Sequence, residues 1–148
     1  MEEDAFRDTY HQINTIRCPF EKALNARRCA CTQAQRFLLA GRDGVGCQSP
    51  AHQEGCSELL ALLREKARFA LHLTKANEPL PHNKEMRVQM GSLLGLKRLL
   101  ESSGKEGSEI ADISHVVSEI HKQFCSFESL PFDEIIQSVL AFKGRKKR

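Results

Sequence analysis

Apolar side chains recur along this chain mainly at three- and four-residue intervals, the spacing that gathers them on one face of a helix, and no segment reads convincingly as a strand. Phe6, Tyr10 and Ile13 follow an acidic start that suits the positive end of a helix dipole, which predicts a first helix from about Glu3 to Ile16. Pro19 permits a fresh helical start, with Phe20, Ala23 and Leu24 on its apolar face and Cys18 at its N-cap. A third short helix is expected around Gln33 to Ala40, closed by Gly41; Gly41-Arg42-Asp43-Gly44-Val45-Gly46 then reads as a loop that delivers Cys47. Ser49 to Gly55 reads as a second irregular turn before Cys56, and Ser57 as the cap of the longest helix. That helix would carry a broad face of Leu59, Leu62, Leu63, Phe69, Ala70 and Leu73, flanked by Leu60, Ala67 and Leu71.

Pro79 and Pro81 break the pattern, and Met86, Met90, Leu93, Leu96 and Leu100 resume it to about Ser102. Gly91, Ser92 and Gly95 would let another helix or the cysteine-bearing segment approach this helix closely, at some loss of intrinsic helix stability. Ser103 to Ser108 reads as a surface loop. Ile110, Ile113, Val117, Ile120, Phe124 and Phe127 form one helical stripe, with Cys125 off it as a lone thiol. A last helix is predicted near Pro131, with Asp133 and Glu134 in its first turn, Ile135, Ile136, Val139, Leu140 and Phe142 inward, and Gly144 at its end.

The expected fold is therefore all-α: a helical bundle of about four helices over 57–142, with an N-terminal cysteine-rich helix-loop segment over 1–56 packed against it and a basic tail at 143–148. A chain of 148 residues suits a single domain, 1–148, with one core. No period of repeat length is visible, which argues against a solenoid.

Composition narrows the setting. The longest apolar runs, such as Leu59 to Leu63, are far too short to cross a bilayer. The acidic Met1-Glu2-Glu3-Asp4 differs from a basic or apolar targeting segment, so a reducing, cytoplasmic setting is expected. The formal net charge of +3 is concentrated at one end, because Lys143, Arg145, Lys146, Lys147 and Arg148 are all cationic. Without these five, 17 of the 22 basic residues remain against 19 acidic ones. Any nucleic-acid affinity would thus come from that tail or from a local patch such as Arg27-Arg28.

Chemistry concentrates in the cysteines. Cys18, Cys29, Cys31, Cys47 and Cys56 stand in the N-terminal part of the chain, among glycines and prolines, and Cys125 is the only other. Thiols clustered in one segment of an intracellular protein point to metal or redox chemistry rather than to a disulfide framework. The closely spaced pairs that mark zinc-finger knuckles are absent. Irregular spacing with ligands from loops and helix starts better suits an iron-sulfur cluster, 4Fe-4S above all, because a cubane is larger than one ion and takes thiolates converging from several directions. Zinc is the alternative, with His52 as a further donor if it turns inward. All five early cysteines are candidate ligands, and the expected set is Cys18, either Cys29 or Cys31, Cys47 and Cys56.

A helix dipole at Cys18 would ease its ionisation, backbone N–H groups around Gly44 and Gly46 would face cluster sulfurs, and Arg17, Arg27, Arg28 and Arg42 would offset the cluster's charge. Enzyme signatures are largely missing: there is no His-Glu-x-x-His, no Gly-x-Ser-x-Gly and no Walker loop, and Asp112-x-x-His115 is a single, incomplete approach to a di-iron pair. A non-enzymatic role is therefore favoured. The leading expectation is a small iron-sulfur protein serving as a redox-responsive or accessory partner of a larger protein. The alternatives are a metal-dependent nucleic-acid-binding regulator acting through the basic tail, and a zinc-binding or thiol-redox protein.

Overall fold

The computed structural model describes residues 2–72, 79–101 and 110–143. Its elements are α1 (Glu3–Ile13), α2 (Glu21–Asn25), a hairpin of β1 (Ala34–Leu39) and β2 (Arg42–Cys47), α3 (Pro50–Ala70), α4 (His82–Met86), α5 (Ser92–Leu100), α6 (Ile113–Phe124) and α7 (Phe132–Ala141). A π-helical turn, Arg87–Gly91, joins α4 to α5.

The all-α expectation is overturned by the hairpin. The segment expected to be a helix around Gln33 to Ala40 is strand β1, and the expected glycine loop is strand β2, paired antiparallel with Ala34 opposite Cys47 and Leu39 opposite Arg42. Its two-residue turn places Ala40 at φ 51° and Gly41 at φ 79°, and two successive positive φ values match the twist of a tight hairpin. Gly44 is required for packing: a Cβ there would lie 2.2 Å from Cζ of Phe37, directly across the ladder. The other edge of β2 is occupied as well, by an antiparallel bridge between Arg17 and Gly46.

The longest helix, α3, begins earlier than the pattern suggested. Ser49 caps it by accepting the His52 N–H at 3.3 Å, and Pro50 occupies the first turn, where its missing N–H costs nothing. Cys56 therefore lies within the helix rather than ahead of it. Leu59, Leu60, Leu63 and Ala67 are buried, whereas Phe69, expected on the apolar face, is 93% exposed.

Buried apolar side chains from α2, α3, α5, α6 and α7 make one continuous core. The small residues of the sequence reading are where α7 comes in: a Cβ on Gly91 would sit 2.6 Å from Cα of Val139, and one on Gly95 would sit 3.2 Å from Cα of Ile135. The α4–π segment is tied to its neighbours by Glu85, which is buried and accepts both Nε (2.8 Å) and a terminal nitrogen (2.9 Å) of Arg64. Gln89 donates to Glu85 at 2.5 Å and accepts the Ala23 N–H at 3.0 Å, linking α2, α3 and the π turn. The expected loop at Ser103 to Ser108, Leu73, Gly144 and the cationic residues Arg145 to Arg148 lie outside the described residues.

Candidate metal centre

Cys18, Cys31, Cys47 and Cys56 stand on four separate pieces of chain. Cys18 lies on the segment that borders β2, where its N–H donates to Val45 O at 3.0 Å and its carbonyl accepts the Glu21 N–H at 3.2 Å. The helix begins at Glu21 with Phe20 as its N-cap, so Cys18 stands ahead of the cap position predicted for it. Cys47 ends β2; its N–H donates to Ile16 O at 2.8 Å and its thiol to Ser49 O at 3.2 Å. Cys31 leads into β1, its carbonyl accepting the Ala34 N–H at 3.1 Å. Cys56 comes from α3 and is buried.

The electrostatics of these thiols mark them as neighbours. Burial pushes the Cys18 thiol up to about 12; a hydrogen bond from the Phe20 backbone pulls it down, and Cys31, Cys47 and Glu21 push it up. The easy ionisation expected for Cys18 is thus reversed, because desolvation outweighs the backbone donor. Burial likewise pushes Cys56 up to about 12, with Cys18, Cys31 and Cys47 adding to the rise. Cys18, Cys31, Cys47 and Cys56 therefore share one neighbourhood.

Cys29 is placed differently. It is buried in the core and bridged to Ile110; burial raises its thiol to about 11, Arg36 lowers it, and among the thiols the effect felt is that of Cys31. All six cysteines are free, and Cys125 is exposed at the left-handed C-cap of α6. Among the described residues, no group of three or more His, Cys, Asp and Glu side chains is arranged to hold a metal ion.

The support beneath the thiols is a buried carboxylate. Glu21 accepts hydrogen bonds from the Tyr10 hydroxyl, from the Val45 N–H at 2.8 Å and from two nitrogens of Arg17 at 3.2 and 3.0 Å. Asn14 donates to Tyr10 Oη at 2.9 Å and to Val45 O at 3.1 Å. This network joins α1, α2 and β2 immediately beside Cys18 and Cys47. Gly46 belongs to it, since a Cβ there would lie 2.7 Å from Oδ1 of Asn14. Gly44 and Gly46 thus serve close packing against Phe37 and Asn14, a role other than the one expected of them.

The expected arginines have partners of their own. Arg17 pairs with Glu21, Arg42 with Glu3 at 3.1 Å, and Arg27 with Asp43 at 3.8 Å. Arg28 lies over the Phe142 ring at 4.7 Å and donates to Lys143 O at 3.5 Å. His52 turns Nδ1 to the Ser49 hydroxyl at 2.9 Å as part of the helix cap.

Sequence reasoning missed Glu21 and Asp112 as supports. Glu21 follows Cys18 by three positions at a helix start, a signal of local anchoring, but its partners are remote in sequence. Asp112 was weighed only with His115, whereas it caps α6 by accepting the Ser114 N–H at 3.2 Å. Among the described residues, no helix is long and apolar enough to cross a membrane. No family model, no curated protein and no solved structure matches the chain.

Proposed function

We propose that the chain is a small iron-sulfur protein that binds a 4Fe-4S cluster through Cys18, Cys31, Cys47 and Cys56 and acts as a redox-responsive or accessory partner of a larger protein. The observation that carries the reading is that Cys18 feels Cys31 and Cys47, and Cys56 feels Cys18, Cys31 and Cys47, although the four stand on different segments. A cubane takes one thiolate per iron from separate directions, which such a convergence suits. Burial raises the Cys18 and Cys56 thiols, so metal binding would release their protons. The proposed setting is the reducing cytoplasm, where thiols stay free and clusters persist.

The test is iron and acid-labile sulfide determination on the full chain purified without oxygen. Iron and sulfide in equal amounts support the proposal. Stoichiometric zinc without sulfide replaces it with the zinc alternative, and a metal-free protein that also fails reconstitution overturns both.

A further inference from the structure

Cys29 and Cys31 stand two positions apart, Cys29 in a bridge to Ile110 and Cys31 leading into a turn closed by the Ala34 N–H. In an extended segment, residues two apart face the same side, so sliding the segment by two positions would carry Cys29 to the place of Cys31 without turning it over. Something must hold the register. We propose that Asp112 is a positioning residue that clamps this segment and thereby selects Cys31, and not Cys29, as the fourth thiol of the site; the inference rests on the reading of that site as a metal centre.

The geometry supporting this lies on both sides of Cys31. Ala30, between the two cysteines, donates its N–H to Ile110 O at 3.0 Å and accepts the Ile113 N–H at 2.9 Å. Beyond Cys31, the Asp112 carboxylate takes two bonds from Thr32: the backbone N–H on Oδ1 at 3.0 Å and the hydroxyl on Oδ2 at 3.0 Å. Asp112 is itself fixed at the start of α6, where Oδ1 accepts the Ser114 N–H at 3.2 Å and the Ser114 hydroxyl at 2.7 Å. The Thr32 and Ser114 hydroxyls meet at 3.1 Å, closing the clamp.

A slip by two positions would break the bonds made by Ala30 and Thr32 and would leave no hydroxyl at the Thr32 place, because Ala30 would stand there. It would also draw Cys29, now 9% exposed in the core, out of its apolar surroundings. Backbone pinning at Ala30 and side-chain pinning at Thr32 therefore bracket Cys31 and leave Cys29 behind. The residues that do this are remote in sequence, so the spacing of the cysteines alone leaves the pair degenerate.

The test uses the reduced, metal-free full chain and reads the rates at which a thiol-alkylating reagent modifies Cys29 and Cys31, followed by peptide mass spectrometry. In the unaltered protein Cys31 is modified faster. Asp112→Ala shifts the ratio of the two rates toward Cys29 by about tenfold, the scale of losing one or two hydrogen bonds. Thr32→Val, which keeps the helix cap and removes the hydroxyl bond, shifts it in the same direction by less, and serves if Asp112→Ala fails to fold. An unchanged ratio in a folded variant overturns the clamp.

The second arm reconstitutes iron and sulfide anaerobically. Cys31→Ser loses the cluster and Cys29→Ser keeps it, whereas adding Asp112→Ala or Thr32→Val to Cys31→Ser restores part of the iron through Cys29. A shifted alkylation ratio in protein that takes up no iron upholds the clamp and overturns the metal reading. Iron binding that needs Cys29 in the unaltered protein overturns the selection of Cys31.

Discussion

Replacing Glu21 by alanine should damage the fold and the thiol site together, by an amount that can be worked from its partners. The carboxylate is 8% exposed and its Oε2 accepts both the Tyr10 hydroxyl and the Val45 N–H. Alanine leaves both donors without this acceptor in the interior, at roughly 1–3 kcal/mol each. The ion pair with Arg17 adds little, because that side chain is 55% exposed and such pairs are worth about 0–1 kcal/mol. The expected loss is about 2–6 kcal/mol, a large share of the roughly 5–15 kcal/mol that a domain possesses. Glu21→Gln can still accept both bonds through its carbonyl; it loses their charge assistance and turns its amide NH2 to the half-exposed Arg17 in place of Oε1, so it should cost less than alanine.

Urea unfolding followed by circular dichroism measures both losses, and iron retention in the same samples measures the site. If Glu21→Ala lies within about 0.5 kcal/mol of the unaltered protein, the range of an ordinary surface substitution, the buried network is not what holds α1, α2 and β2 together. If stability falls while iron retention at low temperature is unchanged, the carboxylate supports the fold without positioning Cys18.

Three further outcomes are expected. Gly91→Ala should destabilise by about 1–3 kcal/mol because its Cβ meets the α7 backbone, whereas Gly55→Ala, with nothing within 4 Å, should stabilise by up to about 1 kcal/mol through helix propensity; thermal or urea midpoints of the two variants should move in opposite directions. Arg64→Ala should cost about 1–3 kcal/mol in the same assay, since it strands the buried Glu85 carboxylate with Gln89 as its remaining partner, although the partly exposed guanidinium softens the loss. Tyr10 is the chain's single tyrosine, and burial, reinforced by Glu21, pushes its hydroxyl from 10.0 up to about 12. Its folded value is raised, so the stability it contributes is present below pH 10.0 and is lost as pH climbs toward 12; tyrosinate absorbance should rise late in the folded protein, and a titration near the ordinary value would refute the buried hydroxyl.

The parts of the fold that could be read from sequence are those whose signal is local. The acidic first turn of the last helix puts α7 where it stands, and α6 covers the middle of the stripe expected from Ile110 to Phe127, whose ends lie in a bridge to Cys29 and in a separate turn, Phe127–Ser129. The hairpin was hidden because Ala34, Gln35, Arg36, Leu38 and Leu39 favour helices, and Gly44 and Gly46 are poor strand residues. What makes it a strand pair is the tight turn at Ala40-Gly41 together with Phe37 lying over Gly44, and the second of these is a cross-strand fact. The raised Cys18 thiol was illegible for a related reason: burial supplied by distant elements outweighs the local backbone donor. The burial of Cys29 was illegible because it depends on a bridge to Ile110 far along the chain.

The most direct test of the central claim is the visible absorption of the anaerobically isolated full chain, taken beside its six single Cys→Ser variants. The account predicts a brown protein whose charge-transfer bands persist in Cys29→Ser and Cys125→Ser and are lost or strongly altered in Cys18→Ser, Cys31→Ser, Cys47→Ser and Cys56→Ser. A protein that stays colourless after reconstitution, or one whose bands are indifferent to these four substitutions, would contradict it.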